Sequence, residues 1–425
     1  MAGFNLSAGV VVGQPVAGSI HAGRWGFAGV GLLRFVAAVV VGLVAGVVVP
    51  VSGPAVAATC TGAGVTSPGV PAELKAYAPS RLAGLATGAG VRVAVIDSGV
   101  DPRNPQLAGK VLKGRDFLHK AANALSDCPG HGTAVAGIIA GQPDANTGVQ
   151  GLAPGATIVP VRVSEDEDVE GSGSGASSAA SFAQAIRWSV NQAKASVLNI
   201  SLVMPAQDPA VRAAIAEAVA ADVVVVAASG NDGADGGVAF PAGYPGVIGV
   251  GAVAPDGSLA SFSQTGEHVD IVAFGQAVTA LAPISGHRGV QGTSFAAPFV
   301  AATAALLRER FPAESAEQIG RRLLRSADPA PGGARSDGFG VGLLNPYRAL
   351  TEQAGPKLAA VEPASPVPVA RRGGPEWDRA GLFAAGGAGL VVLAGLVVAV
   401  VVRGRRRGWH PATAGESTDH DRMPG

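Results

Sequence analysis

Between residues 78 and 350, short β-branched runs alternate with alanine-rich segments of helical period. Five runs read as buried strands: "VRVAVID" (91–97), "TIVPVRV" (157–163), "ASVLNISL" (195–202), "DVVVVAA" (222–228) and "VIGVGAV" (247–253). They are apolar at nearly every position, as expected of strands covered on both faces. "SFAQAIRWSVNQA" (181–193) and "DPAVRAAIAEAVAA" (208–221) repeat their apolar residues every three or four positions, which predicts amphipathic helices between the strands. The alternation predicts an α/β domain built on a mostly parallel central sheet. Ligands in such folds bind beyond the carboxyl ends of the strands, so the residues that follow each run carry the search for chemistry.

Two longer apolar stretches break the pattern. Near the amino terminus, Arg24 and Arg34 precede the run Phe35–Val49, followed by Pro50 and the small residues of "GPAVAAT". Ala55 and Ala57 fit the small-x-small rule for a cleavage site, so residues 1–57 are expected to be a signal peptide, with an uncleaved anchor as the alternative. Residues 380–402 form a 23-residue stretch without a charge, closed by "RGRRR". A helix of that length spans about 35 Å, enough for a hydrocarbon core of about 30 Å. The arginine cluster predicts a cytoplasmic tail (403–425) and an extracytoplasmic main body. A buried core helix is the competing reading, and the arginine stop weighs against it.

Between these ends the chain divides into an extension (58–77), a globular region (78–350) and a spacer (351–379). The spacer carries five prolines and little periodic hydrophobicity. Lysine plus arginine and aspartate plus glutamate both number 31, and charged residues make up only 15% of the chain, so no nucleic-acid partner is expected. The two cysteines are Cys60 and Cys128. In an exported protein an even count suggests a bridge, and two cysteines have one pairing. Five carboxylates crowd into "EDEDVE" (165–170) before a glycine-serine run. This composition reads as a solvated loop, with a hard-cation site as the alternative.

Four residues stand where chemistry is expected. Asp97 ends a strand before a glycine turn; read singly, it is an Asx-turn residue. His131 sits in "GHGTAVAGIIAG", framed by glycines at the start of a small-residue helix. His119, His268 and His287 lack such a frame and are expected on surfaces or in loops. His21 precedes the cleavage site, and His410 and His420 follow the apolar stretch. Ser294 opens "SFAAPFVAATAALLRERF"; proline belongs in a helix's first turn, so Pro298 predicts a helix start near Ser294. Asn231, in "ASGNDG", is either a turn residue or an amide donor to an oxyanion. A serine nucleophile needs a base, and that imidazole needs a carboxylate to fix its tautomer.

The order Asp, His, Ser is that of subtilisin. "VAVIDSGVD", "HGTAVAGIIAG" and "GTSFAAPFVA" resemble the three active-site motifs of subtilisin-like serine proteases, a likeness that covers the globular region. The leader, extension, spacer and terminal apolar span further resemble the mycosins, membrane-anchored subtilases of actinobacterial type VII secretion systems. The resemblance implies a subtilisin-like three-layer α/β fold, plus one C-terminal transmembrane helix. It also implies Asp97, His131 and Ser294 as triad, Asn231 as oxyanion donor, and an extension that wraps the protease domain. A protein or peptide substrate and a secretion membrane complex are the partners it implies, and neither cofactor nor metal is expected. The chain departs from the family pattern in lacking cysteines for a second disulfide, in Gln291 before Gly-Thr-Ser, and in "SLVM" (201–204), which lacks the usual glycines. The expected activity is serine endopeptidase; a structural part of a secretion complex is the alternative. An α/β carbohydrate- or nucleotide-binding module finds no phosphate-cradling glycine motif in its favour.

Overall fold

In the computed structural model, residues 60–165, 177–352 and 399–408 are described. In chain order the elements are α1 (Ala72–Tyr77), α2 (Pro79–Ala83), β1 (Arg92–Asp97), β2 (Arg115–Asp116), α3 (His131–Ala140), β3 (Thr157–Arg162) and α4 (Ala179–Asn191). There follow β4 (Val197–Ile200), α5 (Pro209–Ala220), β5 (Val224–Ala228), β6 (Val247–Val253), β7 (Ile271–Phe274), β8 (Val278–Leu281) and β9 (His287–Val290). The last are α6 (Thr293–Arg310), α7 (Ala316–Arg325), β10 (Asp328–Pro329), β11 (Gly342–Leu343) and α8 (Pro346–Thr351).

Nine strands form one sheet in the order β10-β11-β7-β6-β5-β4-β1-β3-β2, parallel except for the β10–β11 pair. All five predicted strands lie in it. β1 sits between β3 and β4, so the chain builds outward from β1 in both directions. That makes the carboxyl end of β1 a topological switch point, where an open α/β sheet leaves a crevice.

Alternation along the strands divides the core into two layers. Val93 and Val95 join α3, α6 and the buried Leu74 and Tyr77 of α1 on one face. Ala94 and Ile96 join Phe182, Ile186, Val211 and Ile215 of α4 and α5 on the other. The result is the expected three-layer α/β arrangement. Tyr77, from the extension, packs edge-on against Phe274 and also touches the ring of Phe299.

The predicted bridge is present: Cys60 and Cys128 are joined, with Cα atoms 4.4 Å apart. Beside it the Thr61 N–H donates to the Cys128 carbonyl at 2.8 Å, and the Thr61 hydroxyl donates to the Pro129 carbonyl at 2.8 Å. Val65 then pairs antiparallel with His287 at the edge of the β8–β9 hairpin. The signal peptide, all but the first two residues of the spacer and most of the acidic stretch lie outside the described residues. The same holds for residues 380–398 of the apolar span; residues 399–405 are helical. Among the described residues no helix is long and apolar enough to cross a membrane.

Candidate active site

Asp97 is the last residue of β1 and fully buried. Its Oδ1 accepts the Ser98 N–H at 2.7 Å and meets His131 Nδ1 at 2.7 Å. A carboxylate accepts, so Nδ1 carries the imidazole proton and Nε2 is left as the basic nitrogen. The His131 ring also packs at a tilt against Phe295, whose ring centroid lies 4.8 Å away. Burial opposes a charge on His131, but the Asp97 charge and hydrogen bond, aided by Asp127, outweigh it and raise its pKa above 6.5.

His131 also opens α3, and a second carboxylate fixes that helix end. Asp127 Oδ2 accepts the N–H and the hydroxyl of Thr133, at 2.7 and 2.6 Å. Its Oδ1 accepts the Gly130 N–H at 3.0 Å and the Ser98 hydroxyl at 2.8 Å. First-turn N–H groups of a helix need such acceptors. Burial, together with the Asp97 charge, drives the Asp127 pKa up against these hydrogen bonds. Gly132 is demanded by space: a Cβ there would lie 2.0 Å from the Gly99 carbonyl oxygen and 3.0 Å from Asp97 Oδ1. The glycine after the histidine lets α3 close down on β1.

Ser294 is the second residue of α6, a helix on the same face of the sheet as α3. The helix begins one residue before the predicted start, and Pro298 is its sixth residue, inside the helix rather than in its first turn. A proline at that position removes the N–H that would otherwise bond the Ser294 carbonyl. The Ser201 hydroxyl takes its place, donating to that carbonyl at 3.0 Å. In return the Ser294 hydroxyl donates to the Ser201 carbonyl at 3.1 Å. No hydrogen bond joins Ser294 to His131 among the described residues.

Asn231 lies beyond the carboxyl end of β5. Its Oδ1 accepts both the N–H and the hydroxyl of Thr293, at 2.9 and 3.0 Å. Because an N–H can only donate, the atom facing Thr293 is the oxygen, and the amide's donor side is turned elsewhere. The Ser294 N–H belongs to a first helical turn and has no intrahelical acceptor. Asn231 Nδ2 and the Ser294 N–H are thus the two donors available at the start of α6.

The structure therefore gathers Asp97, His131, Ser294 and Asn231 at the carboxyl ends of the central strands β1, β4 and β5. Ser201, Asp127, Ser98 and Thr293 escaped the sequence reading. The signal for Asp127 was its place four residues before a helix-opening histidine; for Ser201 it was a serine directly after a buried strand. Gln291 is exposed. Met204 of "SLVM" is paired to Phe240 by two backbone hydrogen bonds of 2.7 and 2.9 Å. Two histidines expected on surfaces or in loops are buried: His268, 5% exposed, and His287, 6% exposed. Each finds a distant partner, Ser229 for His268 and Gln106 for His287, which no local pattern announces. Among the described residues no cluster of His, Cys, Asp and Glu has a metal-holding arrangement.

A profile of the subtilase family (peptidase S8) matches residues 88–342. Subtilisin E of Bacillus subtilis (strain 168) is 36% identical over 262 residues, 61% of this chain and 65% of that protein. The match thus spans just under two thirds of the subtilisin's own length. Mycosin-4 of Mycobacterium tuberculosis (strain ATCC 25618 / H37Rv) is 35% identical over 366 residues, covering 76% of this chain and 79% of the mycosin. Among solved structures, the MycP3 protease from the type VII (ESX-3) secretion system superposes with a TM-score of 0.60 at 33% identity. That match covers 69% of this chain and 93% of the other.

Proposed function

This chain belongs to the subtilase family, of the mycosin type, and from that membership we propose that it is a membrane-anchored, extracytoplasmic serine endopeptidase of a type VII secretion system. It hydrolyses peptide bonds of exported proteins. The observation that carries this reading is the 2.7 Å bond between Asp97 and His131, buried at the carboxyl end of the central strand β1, near where the helix bearing Ser294 begins.

Asp97 holds the imidazole with its proton on Nδ1 and stabilises the cation that forms. Rotation about χ1 carries the Ser294 hydroxyl from the Ser201 carbonyl to His131 Nε2. His131 takes its proton as Oγ attacks the scissile carbonyl carbon. Asn231 Nδ2 and the Ser294 N–H receive the developing oxyanion, aided by the positive end of α6. His131 then returns the proton to the leaving amine, and the same steps run with water to release the acid.

Export and tethering are supported by the leader at residues 1–57, by the uncharged span 380–402 and by the arginines at 403–407. The secretion-system setting rests on the mycosin relatives. Incubating the full chain with proteins secreted by its host, then mapping new termini by mass spectrometry, tests the activity. New termini are expected with the unaltered chain and not with Ser294→Ala. Identical termini from both would contradict the reading.

A further inference from the structure

His268 stands outside the triad, yet it reaches the loop that bears Asn231. It lies between β6 and β7, 5% exposed, with Nε2 3.1 Å from the carbonyl oxygen of Ser229. A carbonyl only accepts, so Nε2 carries the proton, and Nδ1 has no partner among the described residues. Ser229 follows the last residue of β5 and comes two residues before Asn231.

The surrounding bonds show what that contact fixes. The Gly230 N–H donates to the Thr293 hydroxyl at 3.1 Å, while the Gly230 carbonyl accepts the Gln264 N–H at 3.0 Å. Farther along the loop, the Gly233 N–H donates to the Phe262 carbonyl at 2.8 Å, and Gln264 Nε2 donates to the Gly237 carbonyl at 3.0 Å. Gly230 has φ +101°, and a Cβ there would lie 1.6 Å from Gln264 Oε1. Gln264 Oε1 also accepts the Asp232 N–H at 3.5 Å, and the Thr265 hydroxyl donates to the Ala234 carbonyl at 3.4 Å. The segment 262–268 therefore cradles the segment 229–237 with six hydrogen bonds; Gln264 holds the residue after Asn231, and His268 holds the strand end before it.

We infer that His268 is a positioning residue for the oxyanion donor: its Nε2–H fixes the Ser229 carbonyl and, through the Gly230 peptide, the direction of the Asn231 amide. This rests on the proposed protease reading of the site. An amide aimed at a developing charge works only within a narrow distance range, so loss of the anchor lowers transition-state stabilisation and leaves ground-state binding intact.

The test uses the full chain and diisopropyl fluorophosphate, whose phosphoryl oxygen occupies the oxyanion position during attack by Ser294. The maximal inactivation rate, kinact, and the half-saturating concentration, KI, are measured separately. His268→Leu is expected to lower kinact about tenfold or more, a part of the 10²–10³ cost of deleting a donor outright, with KI unchanged. His268→Met makes the same deletion with a more pliable side chain. His268→Gln, whose amide nitrogen reaches where Nε2 stood, is expected to recover most of the rate. In an Asn231→Ala background, His268→Leu should cost almost nothing further, because both act through one group. An equal loss in both backgrounds, or no recovery in a folded His268→Gln chain, would overturn the inference. If the unaltered chain is not modified at all, the protease reading itself falls, and this inference with it.

Discussion

The hydroxyl of Ser294 donates to the main-chain carbonyl of Ser201, 3.1 Å away, and the hydroxyl of Ser201 donates back to the carbonyl of Ser294 at 3.0 Å. The pair ties the carboxyl end of β4 to the first turn of α6. It exists because Pro298 supplies no N–H to the Ser294 carbonyl. The Asn199 side-chain amide donates in turn to the Ser201 hydroxyl at 2.9 Å, making a buried chain of three groups.

Ser201→Ala breaks that chain at its centre and leaves the Ser294 carbonyl buried without a donor. A cost of about 1–3 kcal/mol in unfolding free energy is expected. Urea denaturation of the full chain and its variant measures it. A variant as stable as the parent would mean that the reciprocal pair contributes nothing.

Catalysis needs His131 neutral, and its pKa is raised above 6.5 by Asp97 and Asp127 against burial. kcat/KM for a peptide substrate should therefore fall with decreasing pH through a midpoint above 6.5. For stability the sign is opposite. The folded-state pKa exceeds the unfolded one, so the contribution from the charged pair is complete below pH 6.5 and is lost as pH rises through the folded value. Asp127→Asn removes one of the charges that raise His131, so its acid limb should move to lower pH. A limb that moves upward, or a parental midpoint below 6.5, would contradict this electrostatic account.

Cys60→Ser opens a bridge between cysteines 68 positions apart. Loop-closure entropy puts the loss at up to about 4 kcal/mol, an upper figure because strain is ignored. The variant should melt at lower temperature and keep the Asp97–His131 geometry, because the remaining bonds around Asp127 still hold the start of α3. Peptide mapping without reductant should recover the two cysteines joined. Two free thiols in protein purified from its native envelope would contradict the bridge.

The legible parts of the fold are those with a local cause. Continuous β-branched runs betray the buried strands β1, β3, β4, β5 and β6, because burial on both faces removes polar residues from the pattern. The two-residue strands β2, β10 and β11 are too short to show a period. The proposed triad is legible because close packing forces glycines beside it: the contact of Gly132 with Gly99 and Asp97 is written into "GHGT". His268 lies in a loop, as expected, yet is buried, and His287 opens β9; both burials depend on remote chain. His287 Nδ1 accepts from the Ser67 N–H, 220 positions away, and its Nε2 meets Gln106. Pro298 marks the start of α6 to within one residue, although it lies in the second turn rather than the first. Its cost to the helix is offset by Ser201, 93 positions from Ser294.

The central claim is that Ser294 is the nucleophile that His131 activates. Treating the full chain with a serine-reactive fluorophosphonate and locating the adduct by mass spectrometry tests this most directly. One adduct, on Ser294, is expected in the unaltered chain. It should be absent from Ser294→Ala and reduced by orders of magnitude in His131→Ala. An adduct on another serine, or equal modification of Ser294 without His131, would contradict the account.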